Sequence, residues 1–70
     1  MWLPMRIDVN GQPMHLDEAI SIEQLLDRLD RTPGPCAVER NGLLVPWRTR
    51  EAVQVEDGDA IEVVTLVGGG

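Results

Sequence analysis

The residues best suited to chemistry in this chain are its last three, Gly68-Gly69-Gly70. Glycine has no side chain and wide φ/ψ freedom. A tail of three can extend, pass through a narrow tunnel and bring its terminal carboxylate close to another protein's backbone. Any side chain would obstruct that passage. Taken alone, the same three residues fit an unstructured end or an expression scar. The elements that precede them must decide between the readings.

Other catalytic constellations are missing from the sequence. His15 is the single histidine and falls in a predicted edge strand, where it reads as a surface residue. Cys36 is the single cysteine and has no nearby predicted base, so it reads as a small buried hydrophobe. No metal-ligand spacing and no phosphate-binding glycine motif is visible. Glu56, Asp57 and Asp59 flank a turn and read as solvated turn residues, with metal binding as the alternative.

Size and charge narrow the function classes. Seventy residues make one domain with a small core. A walled cleft that excludes water is hard to build at this size, so a binding or carrier module is expected rather than an enzyme. Six arginines, no lysine and twelve acidic residues give a net charge of −6. That balance disfavours phosphate backbones and anionic membranes. It suits either simple solubility or a partner with a basic docking surface. A single cysteine cannot staple the fold, and Met1 to Pro4 is too short for a signal sequence or membrane span. Cytoplasmic location is the expectation.

The elements that must position the tail follow from pattern. Met5, Ile7 and Val9 alternate with Arg6 and Asp8, the period of a half-buried strand. Asn10-Gly11 tolerates positive φ and predicts a hairpin whose return strand runs from about Gln12 to Leu16. Pro13 places that strand at an edge. Ser21 and Gln24 form a capping box for a helix over about residues 21–31, and Ile20 and Leu25 occupy the two staple positions. Ile22, Leu25, Leu26 and Leu29 make its apolar stripe. Thr32-Pro33-Gly34-Pro35 ends it. Cys36 to Arg40, Asn41-Gly42 and Leu43 to Val45 predict a second hairpin, closed by Pro46. Val53 and Val55 are candidates for a short strand, and Asp57-Gly58-Asp59 is a turn. Ile61 to Val67 is β-branched and almost continuously apolar, which predicts a central strand covered on both faces. The expected core is Ile7, Val9, Ile22, Leu25, Leu26, Leu29, Val38, Ile61 and Val63.

This order resembles the ubiquitin-like β-grasp carriers, and within them the ThiS family of thiamine-pathway sulfur carriers. The matching stretches are Val9-Asn10-Gly11, Ile22-Glu23-Gln24-Leu25-Leu26 and Ala37-Val38-Glu39-Arg40-Asn41-Gly42. Val45-Pro46, Asp57-Gly58-Asp59-Ala60-Ile61-Glu62-Val63-Val64 and Val67-Gly68-Gly69-Gly70 complete them. The resemblance implies an α+β fold with one helix packed on a small mixed sheet. It divides the chain into a β-grasp domain, residues 1–67, and a glycine tail, residues 68–70. It also implies that Gly70 is the site of adenylation and sulfur attachment, with Gly69 and Gly68 recognised as the tail. The implied partners are an E1-like adenylating enzyme that uses ATP, a persulfide sulfur donor and thiazole synthase. No cofactor is expected on the chain itself.

Two departures from the pattern stand out. Met1 to Pro4 looks like a short extension. Trp47 directly follows Val45-Pro46, where a basic or polar residue is expected, with a tryptophan a few positions later. Met14 is expected in the core, and Trp47 is left between core and docking patch. The alternatives to the sulfur carrier are the small subunit of molybdopterin synthase, a ubiquitin-like protein modifier, and a non-covalent binding domain with a dispensable tail. The first is expected to carry a proline pair before its glycines, where this chain has Thr65-Leu66-Val67.

Overall fold

The alternation of Met5, Ile7 and Val9 becomes strand β1, Met5–Val9, with those three side chains buried. The computed structural model describes residues 4–29 and 35–65. Asn10 at φ 51° and Gly11 at φ 82° then form the predicted two-residue turn. Strand β2, Gln12–Leu16, returns antiparallel, with Pro13 opposite Asp8. β2 is an edge strand, so the absent N–H of Pro13 breaks no inner ladder.

Helix α1, Ile22–Arg28, follows. Ser21 Oγ accepts from the Gln24 N–H at 3.1 Å, and Gln24 Oε1 accepts from the Ser21 N–H at 2.9 Å. The capping box of the sequence is therefore complete. The helix is shorter than the expected span over 21–31. Leu29 is its C-cap, with φ −91° and ψ 3°, and residues 30–34 lie outside the described residues. Arg28, in the last turn of α1, pairs with Glu18 at 2.9 Å.

Strands β3, Cys36–Arg40, and β4, Leu43–Leu44, form the second hairpin around Asn41 at φ 52° and Gly42 at φ 83°. β4 pairs with β3 through only two residues before Pro46 and a 3-10 turn, Trp47–Thr49, take the chain away. Val53 to Val55 does not become a strand. A single bridge joins Ser21 to Gln54, while the Ile22 N–H donates to the Val53 carbonyl and the Val55 N–H to the Ile20 carbonyl, both at 2.9 Å. This segment thus fixes the start of α1.

Strand β5, Ala60–Thr65, lies in the middle of a five-stranded mixed sheet ordered β2-β1-β5-β3-β4. It runs parallel to β1 and antiparallel to β3, so the first and last strands are neighbours at the centre of the sheet. The helix covers one face, and the core gathers Ile7, Val9, Ile22, Leu25, Leu26, Val38, Ile61 and Val63. Leu29 and Met14 are only partly buried against it. One expectation is corrected here. β5 is covered on a single face: Ile61 and Val63 are buried, whereas Glu62 and Val64 on the opposite face are exposed. With one α-helix among the described residues, nothing among them covers the outer face, and β-branched content reflected central position rather than burial on both sides. The architecture is the ubiquitin-like β-grasp.

Candidate functional site

β5 is the last described element before the C-terminal residues, and both of its neighbours hold it. Against β3 it pairs from Arg40↔Ile61 to Cys36↔Thr65. Against β1 the ladder is short, Asp8↔Ala60 and Val9↔Ile61. It is extended by the turn that follows β1. The Asn10 N–H donates to the Ile61 carbonyl at 2.9 Å, and the Asn10 side-chain amide both accepts from and donates to the backbone of Val63. Asn41 of the second turn does the same at the other side. Its N–H donates to the Ala60 carbonyl at 2.8 Å, and its Oδ1 accepts from the Ala60 N–H at 2.9 Å.

The turn before β5 is pinned by Asp59, which is buried to 5% exposure. Its carboxylate accepts from Arg40 Nε at 2.8 Å, Asn41 Nδ2 at 3.0 Å and the Glu56 N–H at 2.8 Å. Burial pushes the Asp59 carboxyl up, but the Glu56 N–H, the Asn41 amide and the Arg40 guanidinium outweigh it and hold it below the usual carboxylate range. The hydrogen bonds to Asp59 and then to Glu56 raise Arg40 above its ordinary value. The reading of Asp59 as a solvated turn residue is therefore corrected. It is the acceptor at the centre of a four-residue cluster, and Arg40 also reaches Glu56 at 2.6 Å. Glu56 and Asp57 are exposed, as expected of turn residues, although Asp57 Oδ1 accepts from the Arg6 N–H at 2.8 Å.

The remaining candidates separate in space. His15 is exposed on β2, and two strands lie between it and Cys36 on β3, so they form no pair. Cys36 is buried at the end of β3, opposite Thr65. Arg50 Nη2 donates to its carbonyl at 2.6 Å, and Nη1 lies 3.7 Å from its Sγ. Arg50 Nε is buried without a hydrogen-bond partner among the described residues. Among the described residues, no group of three or more His, Cys, Asp or Glu could hold a metal ion. Among the described residues, no helix is long and apolar enough to cross a membrane. Gly68, Gly69 and Gly70, the predicted adenylation, sulfur-attachment and recognition residues, lie outside the described residues.

Sequence reasoning missed the roles of Arg40, Asn10 and Asn41. Their partners lie 16 to 53 residues away along the chain, so no local spacing announces them. It also left Trp47 open. Trp47 is 73% exposed, beside the exposed Leu43 and Leu44.

The described frame is a β-grasp whose central strand β5 is held on both sides and is the last described element before the glycine end of the sequence. The chain belongs to the ThiS family, whose family model matches residues 7–70. Among solved structures it is similar to the thiamine biosynthesis protein ThiS of Geobacter metallireducens. The crystal structure of that protein gives a TM-score of 0.80 at 35% identity and covers 94% of this chain and all of that one. Its solution structure gives a TM-score of 0.77 over 94% of this chain and 88% of that one. The uncharacterized protein ycf40 of Porphyra purpurea is 38% identical over 64 residues, 91% of this chain and 90% of the relative. A thiazole synthase of Magnetococcus marinus is 41% identical over 66 residues, which are 94% of this chain but 20% of that protein. The family and its solved members make this a ThiS-like sulfur carrier.

Proposed function

We propose that this chain carries sulfur as a thiocarboxylate on Gly70 and delivers it for thiazole formation in thiamine biosynthesis. The observation that carries the reading is the family match, which runs through residue 70 and so includes the glycine end. The relatives named thiazole synthase support the destination, because a segment similar to this chain lies within their polypeptides.

The chemistry follows from the weakness of a carboxylate as an acyl donor. An E1-like adenylating enzyme attacks ATP with the Gly70 carboxylate, releasing pyrophosphate and leaving an acyl-adenylate with AMP as leaving group. The terminal sulfur of a persulfide displaces AMP and forms an acyl disulfide. A thiol reduces that bond, giving the Gly70 thiocarboxylate and a disulfide of the two thiols. The thiocarboxylate sulfur is nucleophilic and passes to the substrate of thiazole synthase. In this reading Gly69 and Gly68 let the tail enter each partner's active site, the chain binds no cofactor of its own, and it works in the cytoplasm.

The test is a mass measurement. Incubation with the cognate adenylating enzyme, ATP, a persulfide donor and a thiol should add the mass of sulfur minus oxygen, located in the C-terminal peptide. Deleting Gly70, or adding a residue after it, should abolish the gain. A competent sulfur donor lacking Gly70 overturns the reading.

A further inference from the structure

Three large apolar side chains within five residues stand in solvent: Leu43 at 74% exposure, Leu44 at 65% and Trp47 at 73%. Leu43 and Leu44 border an open groove of about 190 Å³ that Val45, Pro46 and Val53 also line. Small-molecule sites typically occupy about 300–1,000 Å³. The groove is smaller than that and fits one or two protein side chains.

Charge says what kind of surface fits. Residues 40–50 contain Arg40, Arg48 and Arg50 and no acidic residue, in a chain of net charge −6. Arg40 is held by Glu56 and Asp59, and Arg50 by Cys36. Arg6 pairs with Asp8, and Arg28 with Glu18. Arg48 has no ion pair or hydrogen bond of its side chain among the described residues, and it is exposed next to Trp47. Tryptophan and arginine are the residue types that most often dominate interface energetics. The complementary surface offers an apolar side chain to the groove and a carboxylate to Arg48.

Area separates the possible occupants. Side chains this exposed present a patch on the order of 400 Å². A stable interface uses roughly 800 Å² from each partner. The patch is about half of what a standing dimer of this chain needs, and it suits a partner that is met and released.

We infer that the Leu43–Leu44–Trp47–Arg48 patch docks thiazole synthase. The inference rests on the sulfur-carrier reading. It also rests on the relatives in which a segment similar to this chain makes up 20% of a protein named thiazole synthase. A shared polypeptide keeps two units at high effective concentration. Units held together in this way work on one another, and the surface through which they meet is sought among the exposed apolar residues.

The patch carries its own reporter. The chain has two tryptophans, so Trp2→Phe leaves Trp47 as the sole emitter. Titration with purified thiazole synthase from the same organism should change Trp47 emission saturably. By calorimetry, Trp47→Ala and Leu44→Ser should each raise Kd roughly tenfold. Arg48→Glu should weaken binding by a similar factor and flatten its salt dependence. Melting curves of the variants establish that they are folded. The adenylating enzyme is titrated in parallel, and the loss there should be smaller. The docking assignment is overturned if all three folded variants bind the synthase like the parent. An equal loss of affinity for the adenylating enzyme overturns it too. The two readings fail separately. A chain that gains sulfur at Gly70 but does not bind the synthase overturns the docking alone. A chain that binds through the patch but gains no sulfur overturns the carrier chemistry alone.

Discussion

Asn10 and Val63 are joined by a two-way clasp: Asn10 Oδ1 accepts from the Val63 N–H at 2.8 Å, and Asn10 Nδ2 donates to the Val63 carbonyl at 3.3 Å. A turn residue thereby continues the β1–β5 ladder past the point where β1 has ended. Asn10→Gly keeps the positive φ the turn requires and removes the clasp. Each hydrogen bond left unmade near the core costs about 1–3 kcal/mol. Asn10→Gly should therefore lower stability in urea by roughly 1–3 kcal/mol, with amide exchange at Val63 accelerated more than at Val38. Unchanged exchange at Val63 would show that the clasp holds nothing.

Asp59 should give the domain an acid-sensitive limb. Its folded-state pKa lies below the usual range, so the ionised cluster with Arg40 stabilises the fold above the unfolded value, about 3.9. That stabilisation is lost as pH falls through the folded value. Chemical denaturation from pH 7 down to pH 2 should show stability falling below about pH 4. Asp59→Asn should flatten this limb and cost about 1–3 kcal/mol at neutral pH. An equally steep limb in that variant would assign the acid sensitivity elsewhere.

Leu26 is fully buried on α1 in a core that holds fourteen apolar residues among those described. Leu26→Ala should cost about 2–5 kcal/mol from lost transfer energy and the cavity left behind. In a domain this small that is comparable to the whole margin of stability. Thermal unfolding followed by circular dichroism should show a large drop in Tm or a chain unfolded at 25 °C. A near-parental melt would place Leu26 outside the core.

Cys36 is buried opposite Thr65 and bonded by Arg50 through its carbonyl, which gives it a structural role. Cys36→Ser puts a hydroxyl in that place and should destabilise by about 1–3 kcal/mol. It should still accept sulfur at Gly70 when loaded by the adenylating enzyme. Sulfur mapped to Cys36 in the parent, or loading lost in a folded Cys36→Ser, would make the thiol part of the transfer.

Much of the fold was legible because it is written in local hydrogen bonding and periodicity. Asn10-Gly11 and Asn41-Gly42 encode their turns through positive φ, Ser21 and Gln24 encode the start of α1, and Pro13 encodes an edge. Each of these acts within four residues of itself, so the sequence by itself determined them. The glycine end is equally a property of sequence.

Only the tertiary structure decided which chemistry surrounds β5. Asp59 reads as a solvated turn acid until the sheet brings Arg40 and Asn41, 19 and 18 residues away, onto its carboxylate. Val64 reads as buried until a single helix leaves the outer face of a central strand open. Trp47 could have been core or surface, because its position depends on a two-residue β4 ending at Pro46 and releasing the chain into a 3-10 turn in solvent. Hydrophobic pattern records that a residue prefers burial. Whether another element arrives to bury it, or a distant partner to pair with it, depends on how the strands are ordered in space.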